Sequence, residues 1–187
     1  MSSPLVLIVP GLGGSGPAHW QTRWELLYPR TVRVDQRDWD HPDREEWRLA
    51  LEGAIAAAPD AVVLVAHSLG CALVAHLASR PIAERIAAAL LVAPADVDSA
   101  ERTPPETRSF APMPMAPLPF PATVVASQDD PYVTLARAQA FAAAWGATFV
   151  DAGPTGHLNA DSGLGDWPVG HRHLEALVAG PPLPGLR

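Results

Sequence analysis

The sequence contains no lysine: all thirteen of its basic residues are arginine, against twenty aspartates and glutamates, leaving a formal net charge of −7. With no basic cluster anywhere along the chain, a nucleic-acid partner is not expected, because phosphate-backbone binding leaves a positive footprint. Arginine-only usage alongside abundant alanine reads as a bias of the source genome. Cys71 is the single cysteine, so an internal disulfide is impossible and a cytoplasmic location is the expectation. Its place three residues beyond Ser68, in a stretch of small helical residues, suits a buried packing role better than a reactive thiol. No apolar run reaches membrane-spanning length, which argues against a membrane partner. The opening MSSPLVLIVPG lacks the basic start of a signal peptide and runs straight into a strand pattern. His171 and His173 have no acidic or cysteine partner at ligand spacing, so no metal is expected. The 187 residues fit one domain over 1–180, followed by a tail, 181–187, that is expected to fray.

What the chain does have is Ala61–Gly70, AVVLVAHSLG. Its continuous, valine-rich apolar run is too short for a helix and suits a strand covered on both faces. An alanine- and leucine-rich segment of helical length follows and stops against Pro81. Ser68 therefore falls in a sharp turn between strand and helix, where a nucleophile elbow carries its serine. That elbow needs small residues two before and two after the nucleophile, because the backbone bends too tightly for larger ones. Here they are Ala66 and Gly70, one methyl away from G-x-S-x-G. A serine N-cap after a buried strand explains the same pattern without chemistry.

Leu5–Val9 forms a second apolar run, followed by Pro10-Gly11-Leu12-Gly13-Gly14-Ser15-Gly16. Gly11, Gly13 and Gly16 fit G-x-G-x-x-G, and Asp35 follows a strand at Thr31–Val34, so a dinucleotide-binding loop is one reading. The helical pattern starts only near Trp20, late for a helix whose N-terminus holds a pyrophosphate. The other reading is a flexible loop that lets a backbone N–H, such as that of Leu12, face a developing oxyanion. His19 and Trp20 lie just beyond this loop, near enough to border a pocket; a capping histidine and a core tryptophan are the plain alternatives. Asp43 and Glu46 form a capping-box pattern for a helix ending near Ala58.

After a strand at Ala87–Ala93 the periodicity disappears from Pro94 to Pro121, with seven prolines between Pro104 and Pro121. A segment of this kind serves either as a flap over a site or as a passive surface loop. The strand Ala122–Ser127 runs into Gln128-Asp129-Asp130-Pro131-Tyr132-Val133. Parallel strands point their carboxyl ends at the ligand, which suits an acid here. Asp130 is chosen over Asp129 because it precedes proline and so favours extended backbone. A helix over Thr134–Trp145 and a strand at Ala147–Val150 lead to Gly153-Pro154-Thr155-Gly156-His157, where a histidine follows glycine in the last strand-to-helix loop. Ser68, Asp130 and His157 thus stand in the order serine, acid, histidine at successive strand ends, the order of the α/β-hydrolase triad. His67, next to the serine, is expected to pack or hydrogen-bond rather than act as the base.

Taken together, Pro10–Gly16 with His19-Trp20, Ala66–Gly70, Ser127 with Asp129–Val133, and Gly156–Pro168 resemble the small bacterial YdeN-like serine hydrolases, relatives of retinoblastoma-binding protein 9. The resemblance covers essentially the whole chain. It implies a compact α/β-hydrolase fold without a full cap domain: six mostly parallel strands, ordered 2-1-3-4-5-6, with helices on both faces. It further implies a triad of Ser68, Asp130 and His157, backbone N–H groups of Leu12 and Leu69 as oxyanion donors, no cofactor, and a small acyl substrate. Trp20, Trp167, His19 and His67 are the expected pocket residues. The readings kept beside it are the dinucleotide site at 11–16 and a hydrolase-fold binding protein with a vestigial site. Retinoblastoma binding by the animal relatives depends on L-x-C-x-E; Leu69-Gly70-Cys71-Ala72-Leu73 lacks the glutamate, so that partner is not expected.

Overall fold

The computed structural model describes residues 4–180, so the expected fraying of 181–187 falls outside the described residues. Six strands, β1 (Leu5–Val9), β2 (Thr31–Arg33), β3 (Val62–His67), β4 (Ile86–Val92), β5 (Ala122–Ala126) and β6 (Thr148–Asp151), form one sheet in the order β2-β1-β3-β4-β5-β6. Every neighbouring pair is parallel. Helices α1 (Trp20–Leu27), α2 (Arg44–Ala57), α3 (Leu69–His76) and α4 (Leu135–Trp145) lie in four of the five crossovers, the β4–β5 connection has only a 3-10 turn, and α5 (Pro168–Ala179) follows the last strand. None of the described helices is long and apolar enough to cross a membrane.

Strand alternation divides the apolar residues between two cores. Leu7, Val9, Leu64, Ala66, Leu91 and Val124 face α2, α3 and α4, where Trp47, Leu51, Leu73 and Phe141 fill the space. Ile8, Val63, Val65, Leu90, Val92 and Val125 face the other way, onto Trp20 and Trp24 of α1, Trp167, and Leu174 of α5. All six residues of β3 are buried, as a strand packed on both faces requires. Strand order reverses between β1 and β3. Their carboxyl ends lie side by side at the switch point, where open α/β sheets bind ligands, with Val9 in register with Ala66.

The helix ends follow local chemistry. The Asp43 side chain caps α2 by accepting from the Glu45 and Glu46 N–H groups. Glu46 pairs instead with Arg37 at 3.2 Å, so only one half of the expected capping box is recorded. Helix α3 is shorter than its apolar run: beyond His76 the backbone tightens, with Ala78 N–H bonding to Ala75 and Arg80 N–H to Leu77. Gly146 closes α4 in the left-handed conformation, at φ 68°, where glycine has no Cβ penalty.

The proline-rich segment has little regular structure, a short 3-10 turn at Pro105–Phe110, yet it is firmly anchored. Phe110 and Met113 are buried in the first core. The Arg108 guanidinium donates to the carbonyls of Val97 at 3.1 Å, Ser99 at 3.3 Å and Thr103 at 2.5 Å. Trp145 holds the Pro114 carbonyl from α4 at 2.7 Å. Side chains thus satisfy the carbonyls that a ladder would otherwise pair.

Candidate active site

Ser68 stands between β3 and α3 with φ 55° and ψ −119°, a backbone conformation that costs a non-glycine residue about 1–3 kcal/mol. The surroundings hold it there. Its N–H donates to Val92 at 3.0 Å, and its carbonyl accepts from Cys71 at 3.0 Å and Ala95 at 3.4 Å. A Cβ on Gly70 would lie 2.3 Å from the Val9 oxygen, and one on Gly11 would lie 2.9 Å from the Cβ of Ser68. Glycine is therefore required at both places for the elbow and the loop after β1 to touch. Ala66 is fully buried in the first core, where its methyl is part of the packing. Cys71 is also buried, with burial pushing its thiol pKa far up.

The last strand-to-helix loop brings His157 over the serine. Its Nε2 lies 2.9 Å from Ser68 Oγ, and its Nδ1 lies 2.8 Å from Asp130 Oδ2 and 3.0 Å from Oδ1. With a carboxylate accepting at Nδ1, the ring carries its proton there and presents a lone pair at Nε2 to the serine hydroxyl. The Asp130 side chain is wholly buried, and the Tyr132 N–H also donates to it at 2.8 Å. Asp129 turns elsewhere: its Oδ1 accepts from Ser127 Oγ at 2.7 Å and from the Gly156 N–H at 2.7 Å. Those two bonds, the hydroxyl first, hold its carboxyl below the usual range. Ser127 Oγ in turn accepts from the Thr155 N–H at 2.9 Å, so Asp129 and Ser127 clamp the backbone just ahead of His157.

A row of histidines continues away from the serine. His67 is buried, 4.8 Å from His157 and 4.7 Å from His19 between ring centroids. Its Nε2 donates to the His157 carbonyl at 2.9 Å. Burial, then the neighbouring His157 and His19, push its pKa well below the usual value. His19 caps α1, its Nδ1 accepting from the Gln21 N–H at 3.2 Å. Burial, His157 and Arg33 lower its pKa to about 4.

Leu12 and Leu69 border the cleft beside Ser68, and among the described residues neither backbone N–H donates to another protein group. The loop around Leu12 is fixed from behind. Gly13 N–H bonds to Trp39 at 2.9 Å and Gly14 N–H to Gly11 at 3.1 Å, while Arg33 donates to the Gly14 carbonyl at 2.5 Å and pairs with Glu25 at 2.6 Å. These bonds weigh against a dinucleotide loop, since two of the amides a pyrophosphate would need are already engaged. Gly11 faces the elbow rather than a ligand, and Asp35 is exposed.

The cleft has a volume of about 280 Å³, at the small end for ligand sites. Of the four expected pocket residues, His19 and His67 line it, whereas Trp20 and Trp167 do not. Those two tryptophans belong to the second core, 4.8 Å apart between ring centroids. His19, the N-cap, has extended backbone (φ −74°, ψ 139°) and stands outside the helix on the cleft. Trp20 begins the helix and turns beneath it, where its indole N–H holds the Leu158 carbonyl at 2.8 Å. Thr103, Pro104 and Thr107 form part of the wall, so the proline-rich segment does border the site. Near the other end of the chain His171 stacks on Tyr28 and pairs with Glu175 at 3.2 Å. Among the described residues no three potential metal ligands gather.

Sequence reasoning missed Gln21. It is fully buried, donates to the Val65 carbonyl at 3.0 Å and accepts from Ser15 Oγ at 2.6 Å. It thereby joins α1 to the carboxyl end of β3 and to the glycine loop. A polar residue on the inward-facing turn between two tryptophans was the available signal.

A family model described as serine hydrolase matches residues 6–176. Among solved structures, a protein described as a YdeN-like hydrolase from Pectobacterium atrosepticum is 34% identical, with a TM-score of 0.83, over 93% of this chain and 90% of that one. The ydeN gene product of Bacillus subtilis is similar in fold at 19% identity, with a TM-score of 0.73, over 95% of this chain and 100% of that one. A comparison with curated proteins finds no match.

Proposed function

The chain belongs to the serine hydrolase family, on its YdeN-like side, and we propose that it cleaves small carboxylic esters or related acyl bonds through an acyl-enzyme on Ser68. The observation that carries this reading is the unbroken relay from Ser68 Oγ to His157 Nε2 at 2.9 Å and from His157 Nδ1 to Asp130 at 2.8 Å. His157 takes the hydroxyl proton as Ser68 Oγ attacks the acyl carbon, and Asp130 fixes the tautomer and stabilises the imidazolium. The N–H groups of Leu12 and Leu69 receive the tetrahedral oxyanion, a contribution of about 3–4 kcal/mol per donor in other hydrolases. Collapse breaks the bond to the leaving alcohol, which takes the proton from His157. Water then attacks the acyl-serine with the same base, releasing the acid and restoring Ser68. A cleft of about 280 Å³ supports a small acyl group. Labelling with a fluorophosphonate, followed by peptide mapping, tests the reading: the label is expected on Ser68 and absent from folded Ser68→Ala. Labelling that persists in that variant would identify a different nucleophile.

A further inference from the structure

His19 has half of its hydrogen-bonding capacity unexplained. Its Nδ1 accepts the Gln21 N–H at 3.2 Å and caps α1, which leaves the proton of the neutral ring on Nε2. Among the described residues that nitrogen, which is buried, has no hydrogen-bond partner. The residue is 4% exposed and is among those lining the same cleft as Ser68. Unpaired buried donors are uncommon in folded proteins because the lost solvation is not recovered. Capping accounts only for Nδ1, and an ionised aspartate, which only accepts, would cap the helix without stranding a donor. The depressed pKa, about 4, agrees with a ring that stays neutral and offers one N–H rather than a charge.

We infer that His19 Nε2–H donates to an acceptor oxygen of the substrate, so that the enzyme prefers acyl substrates bearing an ether, hydroxyl or carbonyl oxygen near the scissile bond over their hydrocarbon isosteres. The inference rests on the Ser68 reading and adds a specificity-determining contact to it. A site with a buried donor rejects the analogue that leaves the donor unpaired.

Two isosteric ester pairs test it. In p-nitrophenyl methoxyacetate and p-nitrophenyl butyrate an oxygen replaces a methylene on the acyl side; in 2-methoxyethyl butyrate and butyl butyrate it does so on the alcohol side. For each pair the ratio of kcat/KM, oxygenated over hydrocarbon, is measured in the wild type and in His19→Asn, which keeps a capping acceptor. Comparing ratios cancels intrinsic ester reactivity. The ratio of at least one pair is expected to fall about tenfold in the variant. Ratios unchanged in both pairs, whatever the absolute rates, would overturn the inference and leave His19 a cap. Wild-type protein that turns over none of the four esters would instead sink the Ser68 reading and this inference with it. If His19→Asn does not fold, His19→Ser, also a good cap, takes its place.

Discussion

The proposed nucleophile, Ser68, and the proposed base, His157, are mounted in opposite ways. Ser68 sits on a buried strand, in a strained turn, with glycines at 11 and 70 pressed against neighbouring backbone. Packing holds it, and a single methyl at Gly70 has no room. His157 sits in a loop with the positive φ values of Gly156 (59°) and Leu158 (49°) around it. Beside the buried Leu158 side chain, a set of polar contacts holds that loop: Asp129 to Gly156, Ser127 to Thr155, His67 to the His157 carbonyl, and Trp20 to the Leu158 carbonyl. Packing gives a position that is either right or lost, whereas hydrogen bonds give one that can be loosened step by step. The proposed base is therefore the part of this site that mutation can loosen by degrees.

The strongest test of that contrast is Asp130→Asn. Removing the carboxylate leaves the loop in place but allows the wrong imidazole tautomer, so kcat on an activated ester is expected to fall about 10⁴-fold, with an unchanged melting curve. A loss below about tenfold would mean that another group orients His157. Acidification comes next and acts on the histidine row that joins the two mounts. His19 has a folded pKa of about 4, and that of His67 is also depressed. The unfolded chain thus takes up protons that the folded chain refuses. The stability these rings contribute is present above pH ~6.5 and is lost as pH falls towards 4, by up to about 3 kcal/mol for a shift of the size at His19. Denaturant melts from pH 7.5 to 4.5 should show a shallower decline in His67→Asn than in the wild type. Parallel declines would mean that these rings do not set the acid limit.

Asp129→Asn is expected to matter less. It weakens the clamp on Gly156 while sparing the relay, and about a tenfold loss in kcat, with KM little changed, is the expected signature. Equal losses for Asp129→Asn and Asp130→Asn would erase the distinction between them, and that distinction was only partly legible in the sequence. The proline after Asp130 favoured it, but nothing in a one-dimensional pattern assigns Asp129 to a loop 27 residues away. The strands were far more legible. β1, β3, β4 and β5 are short apolar runs, whereas β2 (TVR) and β6 (TFVD) are mixed edge strands, and β1 and α1 occur at the predicted residues. The segment 94–121 was illegible because Arg108 and buried anchors such as Phe110 order it, not periodicity. Trp20 and Trp167 were misplaced for a related reason: closeness to a motif along the chain does not say which way a side chain turns.

Ala66→Gly is the gentlest probe and bears on the nucleophile's mount alone. It restores the glycine that the elbow pattern prefers, so two opposing effects can be weighed. If the Ala66 methyl distorts the turn, as a degenerate site would allow, removing it should raise turnover. The packing points the other way: Ala66 is fully buried, in register with Val9 on one side and Leu91 on the other. Glycine in a strand interior loses that contact and adds backbone freedom to the unfolded chain, a cost of about 1 kcal/mol. A drop of a few degrees in Tm with kcat within about twofold of the wild type is therefore expected. A tenfold gain in kcat would reverse the conclusion, because it would mean that the elbow holds its serine against the methyl rather than with it.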